Sequence, residues 1–357
     1  MKRLGIALAI AALAAGSGCG KKDKDKDKNQ KVVDKPPVTR PEPTKPEEQK
    51  PTPPAPDADQ KDLVAKGAYL ANAGGCVLCH TGFGPKGPDL DNPFAGGLEA
   101  TETMGPGMTF TWRSPNITPD DDTGIGKWTD DQVLAAVREG VRPDGSRLAP
   151  IMPYMFYNVM SDADGKALVA FLRANKKVAR KVEREPLPPM FAQMPPAPKP
   201  EGKEWPAEKR GEYLATVMHC ALCHTPMGPQ GPDMSKKFAG GNPMKIPPQF
   251  AMVGTGVNFS ANITSDAESG IGKWTDQQIA DAIKQMKRPD PKRPMIGFPM
   301  AMYQTTWSQL HDDDVLAVAR YIKSIPPIQN HVKASTFVPG PMLEQMMKNA
   351  QSGPPPK

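Results

Sequence analysis

The sequence predicts an all-α protein in which one domain occurs twice in tandem. The first observation is an internal repeat of about 120 residues: Phe94–Gly97 recurs as Phe238–Gly241, and Gly124–Asp130 recurs as Gly270–Asp276. The second observation is that apolar residues follow helical spacing between Gly- and Pro-rich loops, without a convincing alternation of period two. Each copy is therefore expected to fold as a small bundle of helices.

Composition along the chain sets the predicted boundaries. Residues 36–56 hold nine prolines and residues 186–206 hold eight, which marks two segments that cannot build a packed core of their own. The predicted order is a signal peptide at 1–18, a Lys/Asp- and Pro-rich disordered tether at 19–61, a first domain at 62–180, a Pro-rich linker at 181–206, a second domain at 207–326 and a C-terminal tail at 327–357.

The chain begins with the features of an export signal. Lys2 and Arg3 precede an apolar run at Leu4–Ala15 that is too short to span a bilayer, and small residues then lead to Cys19. This layout predicts a bacterial lipoprotein, lipid-anchored through Cys19 after cleavage. Gly16 stands where such signals usually carry an aliphatic residue, so an ordinary secretory signal with a free Cys19 stays the alternative. Both interpretations predict export to the periplasmic side of the bacterial envelope.

Each copy is predicted to contain three main helices. A first helix is expected at 62–73, and a last helix at 162–175 is repeated at 312–324. The middle helix is expected to begin at Thr129, because Gln132 completes a capping box, and Thr275 with Gln278 repeats that pattern. Gly67 and Gly211 lie inside the first helices at a cost of about 1 kcal/mol each, which predicts a close crossing with the last helix.

Two Cys-x-x-Cys-His motifs carry the chemistry. Cys76–His80 recurs as Cys220–His224, once in each copy. Two thiols three residues apart can both bond the vinyl groups of one porphyrin, and the following histidine then binds the iron. The motifs therefore predict two covalently attached c-type haems, with Cys76, Cys79, Cys220 and Cys223 as attachment residues and with His80 and His224 as iron ligands. A shared zinc site, a thioredoxin-like thiol pair and structural disulfides are the alternatives, and spacing and context disfavour all three.

A second axial ligand is predicted in the first copy at Met152. It lies in the sequence Pro150-Ile151-Met152-Pro153-Tyr154, after the middle helix, where flanking prolines stiffen the loop. Met155 and Met160 are nearby alternatives, since most methionines only fill gaps in a core. A His/Met pair leaves the iron without a free position, which favours electron transfer, whereas an open position favours chemistry on peroxide or small ligands.

The second copy offers three methionines for the same role. An alignment of Pro153 with Pro299 puts Phe298 opposite Met152, so a local shift of the alignment is needed. We predict Met300, which follows a proline, and leave Met302 and Met295 as alternatives. His311 and His331 are expected at the surface or at a helix cap. His219, which precedes Cys220, is expected to neighbour a haem edge.

Taken together, these motifs resemble the di-haem c-type cytochrome family. The resemblance rests on both Cys-x-x-Cys-His motifs, on Asn116–Asp120 and Gly124–Asp130, and on Met152-Pro153-Tyr154, and it covers residues 62–326. Relatives in this family include cytochrome subunits of bacterial membrane alcohol and aldehyde dehydrogenases. The resemblance implies tandem class I cytochrome c domains with His80 and His224 as proximal and Met152 and Met300 as distal ligands of the two irons.

The predicted function is electron transfer between redox partners in the bacterial envelope, without enzymatic activity of its own. Expected partners are a membrane or periplasmic dehydrogenase and a terminal acceptor. Two alternatives stay open: a di-haem enzyme such as a peroxidase with one open haem, and a relay or docking subunit of a dehydrogenase complex. A net charge of +6 over 357 residues, without a basic stripe rich in aromatics, disfavours a nucleic-acid partner.

Overall fold

The computed structural model of the protein describes residues 58–84, 87–104, 108–228, 231–293 and 295–351. The described residues form one compact unit. We refer to residues 58–206 as the first repeat and to residues 207–351 as the second repeat. The predicted signal peptide, Cys19 and most of the predicted tether lie outside the described residues.

The first repeat is mainly helical, with two short antiparallel ladders. Its helices are α1 (Ala58–Ala73), α2 (Cys76–Cys79), α3 (Asp130–Glu139), α4 (Tyr154–Tyr157), α5 (Asp162–Ala174) and α6 (Pro189–Ala192). Its strands are β1 (Phe83–Gly84), β2 (Gly87–Pro88), β3 (Glu99–Met104) and β4 (Met108–Arg113).

The second repeat follows the same order of helices. They are α7 (Arg210–Val217), α8 (Cys220–His224), α9 (Asp276–Lys284), α10 (Gln304–Trp307), α11 (Asp312–Lys323) and α12 (Pro341–Gln351). Its strands are β5 (Met227–Gly228), β6 (Gly231–Pro232), β7 (Pro243–Lys245), β8 (Gly254–Thr255), β9 (Val257–Phe259) and β10 (Val338–Pro339). None of the described helices in either repeat is both long enough and apolar enough to cross a membrane.

The predicted capping boxes start the middle helices of both repeats. The Thr129 hydroxyl accepts a hydrogen bond from the backbone N–H of Gln132 at 3.2 Å, and the Gln132 amide oxygen accepts from the backbone N–H of Thr129 at 2.8 Å. Thr275 and Gln278 make the same pair of bonds at 3.1 and 2.9 Å. Reciprocal bonds of this kind satisfy backbone donors that the first helical turn leaves free, so these two starts were readable from the sequence.

Glycine lets the first and last helices of each repeat touch through their backbones. A Cβ atom built on Gly67 would lie 1.9 Å from the carbonyl oxygen of Ala167, and one built on Gly211 would lie 2.1 Å from that of Ala317. The predicted close crossing is present as α1 against α5 and as α7 against α11. The first helix begins earlier than expected, at Ala58.

The expectation that the chain lacks strands is wrong for several short segments. The longest ladder pairs β3 with β4 from Glu99 opposite Arg113 to Met104 opposite Met108. The side chains of Thr101 and Thr111 hydrogen-bond across it at 2.9 Å. Phe110 and Trp112 alternate with polar residues in β4, which is the period of a strand, but the run is too short to stand out beside the helical repeats.

The two repeats share one hydrophobic core and lock onto each other through crossed hydrogen bonds. The core cluster includes Leu70, Leu134 and Leu172 of the first repeat and Leu214, Ile279 and Trp307 of the second. The Tyr69 hydroxyl donates to Asp314 at 2.5 Å, and the Tyr213 hydroxyl donates to Asp164, so each repeat contributes one donor and one acceptor. Burial and the bond to Asp164 raise the pKa of Tyr213 far above its ordinary value, which keeps this donor protonated.

The predicted linker and the predicted C-terminal tail both contain folded elements. In α6, Phe191 is buried and meets Phe110 edge-on, with 5.3 Å between the ring centroids. In α12, Leu343 is buried as well, and β10 pairs with β8 just before it. Pro189-Met190-Phe191 and Pro341-Met342-Leu343 start these helices in the same way, so the repeat extends beyond the last predicted helix of each copy.

We expect Gly67→Ala and Gly211→Ala each to lower the free energy of unfolding by about 1–3 kcal/mol, because overpacking at the crossing outweighs the gain of about 1 kcal/mol in helix propensity. Gly84→Ala is the control, since no described atom lies within 4 Å of its added Cβ. Chemical denaturation of the three variants provides the measurement. Equal stability of all three would contradict the close crossing.

Candidate haem sites

A single helical turn presents each Cys-x-x-Cys-His motif. The residue before each turn has a left-handed backbone: Gly75 has φ 66° in the first repeat, and His219 has φ 45° in the second. This conformation breaks the preceding helix and starts α2 and α8 in a new direction. One turn then carries both cysteines of a motif, as attachment to a single porphyrin requires. Cys79 is exposed, whereas Cys223 is only partly exposed.

The four motif cysteines are free thiols. Burial raises the pKa of Cys76 and of Cys220 to about 12, so both are protonated at neutral pH. No group of three or more His, Cys, Asp or Glu side chains in the described part of the chain is arranged to hold a metal ion by itself, which argues against the zinc interpretation.

Both motif histidines are buried and oriented by a backbone carbonyl. The Nδ1 atom of His80 lies 3.0 Å from the oxygen of Pro115, and that of His224 lies 2.7 Å from the oxygen of Ala261. Burial lowers the pKa of both imidazoles, which favours the neutral ring. A neutral ring that donates from Nδ1 offers the lone pair of Nε2 as a metal ligand.

The loops that supply these carbonyls are built by asparagines. The Asn116 side-chain oxygen accepts from the backbone N–H of Thr118 at 2.9 Å, and its amide nitrogen donates to the carbonyl of Val178 at 2.7 Å. Asn262 repeats both bonds, with Thr264 at 3.0 Å and Ile328 at 2.8 Å. Each asparagine therefore forms an Asx turn. Its amide also ties the loop that supplies the carbonyl to the segment after α5 in the first repeat or after α11 in the second. The sequence left two roles open for Asn116 and Asn262, an Asx turn or a hydrogen bond near a haem edge, and the Asx turn is present at both.

The methionines of the first repeat have three different environments. Met152 is partly buried and packs at the edge of the main core. Met155 points into solvent with 46% of its surface exposed, and Met160 is buried within the core. Met152 therefore combines a position at the core surface with a loop held by a hydrogen bond from its N–H to the Ala149 carbonyl at 3.0 Å.

Backbone pairing gives the register of the second methionine loop. Leu148 donates to the carbonyl of Gly140 at 2.9 Å, and Ile296 donates to that of Met286 at 2.8 Å. Gly140 and Met286 both have positive φ, so these pairs are structurally equivalent. The bridges Val141–Arg147 and Lys287–Met295 enclose the same turn, which is two residues longer in the second repeat. Counting on from Leu148 and Ile296, the fourth residue is Met152 in one loop and Met300 in the other.

Packing distinguishes Met300 from Met302. Met300 lies against the main core cluster, as Met152 does. Met302 instead packs against a separate cluster formed by Val253, Ala301 and Leu343. Met295 also contacts the main core, but its backbone is the bridge partner of Lys287, so its structural counterpart is Arg147 and not Met152.

An aromatic cluster lies where the two attachment motifs approach each other. The Tyr157 hydroxyl donates to the carbonyl of Gly74 at 2.9 Å, and the Trp307 indole donates to that of Ala73 at 3.0 Å. The His219 ring lies between the rings of Tyr157 and Tyr303, with centroids 6.4 and 5.7 Å away. This cluster ties the end of α1, just before Cys76, to the residue just before Cys220. His311 is at the N-cap position of α11 and His331 is exposed, as predicted for both.

These residues fit a c-type haem in each repeat. A pair of cysteines on one turn, a histidine whose Nδ1 is held by a carbonyl, and a methionine on a loop at the edge of the core are the donor types that such a group needs. The first repeat also contains three buried N–H groups without an acceptor, Nε1 of Trp112, Nε of Arg138 and Nε of Arg147. Of these, Arg147 lies just before the methionine loop, where a polar ligand would supply an acceptor.

Comparison with known proteins places the chain among cytochromes, although no family model matches it. It is 34% identical over 292 residues to the cytochrome c subunit of a quinone alcohol dehydrogenase from Gluconacetobacter polyoxogenes, covering 76% of this chain and 58% of that protein. It is 32% identical over 286 residues to a gluconate 2-dehydrogenase cytochrome c subunit from Pantoea cypripedii, covering 76% and 61%. The chain thus spans about three fifths of the length of these relatives.

A third relative is matched over most of its length. The chain is 32% identical over 279 residues to a di-haem c-type cytochrome from Cereibacter sphaeroides, covering 74% of this chain and 86% of that protein. The similarity is to cytochrome subunits of dehydrogenases and not to their catalytic subunits. Cytochromes c carry covalent haem, and the Cereibacter relative carries two by its name. The chain belongs to the di-haem c-type cytochrome family.

Proposed function

We propose that this protein is an electron-transfer cytochrome with two covalent haems, one in each of two tandem class I cytochrome c domains. Cys76, Cys79, Cys220 and Cys223 attach the haems, His80 and His224 are the proximal ligands, and Met152 and Met300 are the distal ligands. The observation that carries the proposal is the matched pair of sites. Each has a carbonyl-anchored histidine and a methionine at the same count from an equivalent backbone hydrogen bond.

The residues around each proposed site have separable tasks. When bound, a haem with His and Met ligands exchanges one electron at a raised potential and leaves no position open to substrate. Pro115 and Ala261 fix the orientation of the two histidine rings through their carbonyls. Met152 and Met300 pack against the main core, which would hold each thioether in place for the iron. This assignment favours electron transfer over a peroxidase, which needs a displaceable ligand.

The names of the relatives suggest the class of redox partner. Several are cytochrome subunits of alcohol, gluconate or fructose dehydrogenases. We propose that the present chain accepts electrons from a dehydrogenase of this kind and passes them to a terminal acceptor, either as a separate carrier or as a subunit of the complex. The proposed location is the periplasmic side of the envelope, with Cys19 as the lipid anchor and the Pro-rich segment as the tether, as the N-terminal sequence suggests.

We expect Met152→Ala and Met300→Ala each to remove the thioether-to-iron charge-transfer band of one oxidised haem, because each variant deletes one distal ligand. The potential of that haem should fall, since thioether ligation favours ferrous iron. Optical and electrochemical titration of the purified holoprotein measures both effects. Met302→Ala is the matched control and should retain both bands. A Met300→Ala protein with both bands intact would refute the distal assignment in the second repeat.

The C-terminal segment offers a second test, because it covers the Met300 loop. The ring of Phe337 packs closely on Gly254 and Gly297. A Cβ atom built on either glycine would lie only 2.3 or 2.8 Å from a ring atom. We expect Phe337→Ala to remove about 1–2 kcal/mol of apolar contact from this loop. Exogenous imidazole should then displace Met300 about tenfold more readily. Phe191→Ala, in the first repeat, should leave imidazole binding at the second haem unchanged, and an effect of equal size there would contradict local support.

Lipidation at Cys19 is testable in the native host. Cys19→Ser should abolish incorporation of labelled palmitate and move the protein from the membrane fraction to the soluble fraction, because the thiol is the acceptor of the lipid. Ser17→Ala keeps the thiol and should behave like the natural protein. Soluble natural protein without label would favour the ordinary secretory signal instead.

A further inference from the structure

An Arg-Pro-Asp sequence occurs in both repeats between the middle helix and the methionine loop. Arg142–Asp144 follows Val141 of the first bridge, and Arg288–Asp290 follows Lys287 of the second. The two arginines are therefore structural counterparts. A tight turn accounts for the proline and the aspartate, but it needs no arginine. Arg142 makes hydrogen bonds within its own turn, but Arg288 does not repeat them, so these bonds do not explain why both turns carry an arginine.

Both arginines are partly buried cations without an anion. Arg142 donates only to the carbonyl of Arg147 and to the Ser146 hydroxyl, and burial lowers its pKa to about 10. Arg288 has no hydrogen bond or ion pair with any described residue, and burial lowers its pKa too. A cation removed from water in this way costs free energy unless a negative group compensates it.

The neighbouring aspartates attract these arginines, but burial outweighs that attraction and neither aspartate forms an ion pair with its turn's own arginine. Asp144 accepts from the hydroxyl and backbone N–H of Ser146 at 2.6 and 2.9 Å and pairs with Arg184 at 3.1 Å. Asp290 accepts from the backbone of Lys292 at 2.9 Å and pairs with Arg293 at 3.3 Å. Each Arg-Pro-Asp turn therefore commits its carboxylate to an exposed arginine and leaves its own partly buried arginine without an ion-pair partner.

Three buried N–H groups of the described first repeat lack acceptors, and two of them lie outside α3, which holds the third at Arg138. The Nε atom of Arg147, which lies opposite Val141 in the bridge, and the Nε1 atom of Trp112 are both buried without a hydrogen bond. Ser114 and Ser260 are structural counterparts, because the carbonyl of each accepts a hydrogen bond from the second glycine of the repeated Phe-Ala-Gly-Gly sequence. Trp112 and Asn258 each lie two residues before this serine, so they are counterparts as well. Asn258 donates to the carbonyl of Phe298 in the Met300 loop at 2.7 Å, which indicates that this strand position faces the methionine loop.

We propose that Arg142 and Arg288 each bind a propionate carboxylate of the haem in their own repeat, and that Arg147 and Trp112 add two donors to this carboxylate site in the first repeat. The inference rests on the proposed function, because it requires a haem at each motif. A haem carries two carboxylates on one edge, and guanidinium groups match carboxylates with paired hydrogen bonds. No described carboxylate of the chain takes that place.

An arginine bound to a propionate should raise the reduction potential of its haem. A guanidinium cation held near the iron opposes the extra positive charge of the ferric state, and it neutralises a propionate that would otherwise favour that state. Removal of the cation should stabilise ferric iron. We expect Arg142→Gln to shift the ferric/ferrous equilibrium of the first haem about tenfold toward ferric, which is about 59 mV for one electron. Arg288→Gln should do the same for the second haem only.

Matched controls remove the same charge from the surface. The side chains of Arg184 and Arg293 are 56% and 70% exposed, and each pairs with the aspartate of one turn. Arg184→Gln and Arg293→Gln should change the two reduction potentials much less than Arg142→Gln and Arg288→Gln do, because water screens an exposed charge. Arg142→Lys keeps the charge and should restore most of the potential without the paired hydrogen bonds.

The experiment begins with haem content, measured as the pyridine haemochrome of each purified full-length variant, and continues with a redox titration that resolves the two haems. Natural protein without two haems would refute the proposed function itself. If both haems are present but the exposed-arginine variants shift the potentials as much as Arg142→Gln and Arg288→Gln do, only the propionate site is refuted. If a glutamine variant fails to retain haem, the crystal structure of the natural holoprotein decides: arginine nitrogens within hydrogen-bond distance of a propionate support the site, and propionates directed into solvent overturn it.

Discussion

The hydrogen bond from a histidine ring to a backbone carbonyl is the constraint on which both sites depend. It fixes the tautomer of His80 and His224 and directs Nε2 away from the protein backbone. The carbonyl is itself held by an Asx turn at Asn116 or Asn262, and the amide of that asparagine reaches the segment after the last helix. The glycine crossing of first and last helices brings these pieces into one small unit. We expect the loss of any one of these contacts to leave the orientation of the imidazole ring less well defined.

The same chain of contacts occurs twice, yet the two sites are unequal. In the first repeat, Cys79, Ile151 and Met155 are exposed around the motif and the methionine loop. In the second repeat, Phe337 and Leu343 of the C-terminal segment cover the corresponding loop. The crossed bonds of Tyr69 with Asp314 and of Tyr213 with Asp164 then join both repeats into one body. The methionine loop of the first repeat is therefore the more exposed of the two.

Much of this arrangement follows from local sequence rules, and the exceptions have physical reasons. The capping boxes at Thr129 and Thr275 and the glycine crossing are local or pairwise constraints, so the repeat alone revealed them. The position of Met300 was harder, because a turn two residues longer displaces it from the alignment of the prolines, and only the backbone pairs show where the extra residues lie. The helix in the predicted C-terminal tail was not predicted, because it packs through only a few apolar residues, among them Met342 and Leu343. Crossed contacts between distant tyrosines and aspartates leave no local pattern to read.

The central claim is that both irons have histidine and methionine ligands. Magnetic circular dichroism of the oxidised holoprotein in the near infrared tests it most directly, because the charge-transfer transition of a low-spin ferric haem reports the identity of its axial ligands. The account predicts two low-spin His/Met haems per chain and no high-spin component. A high-spin haem that reacts with peroxide, or a haem with two nitrogen ligands, would contradict it.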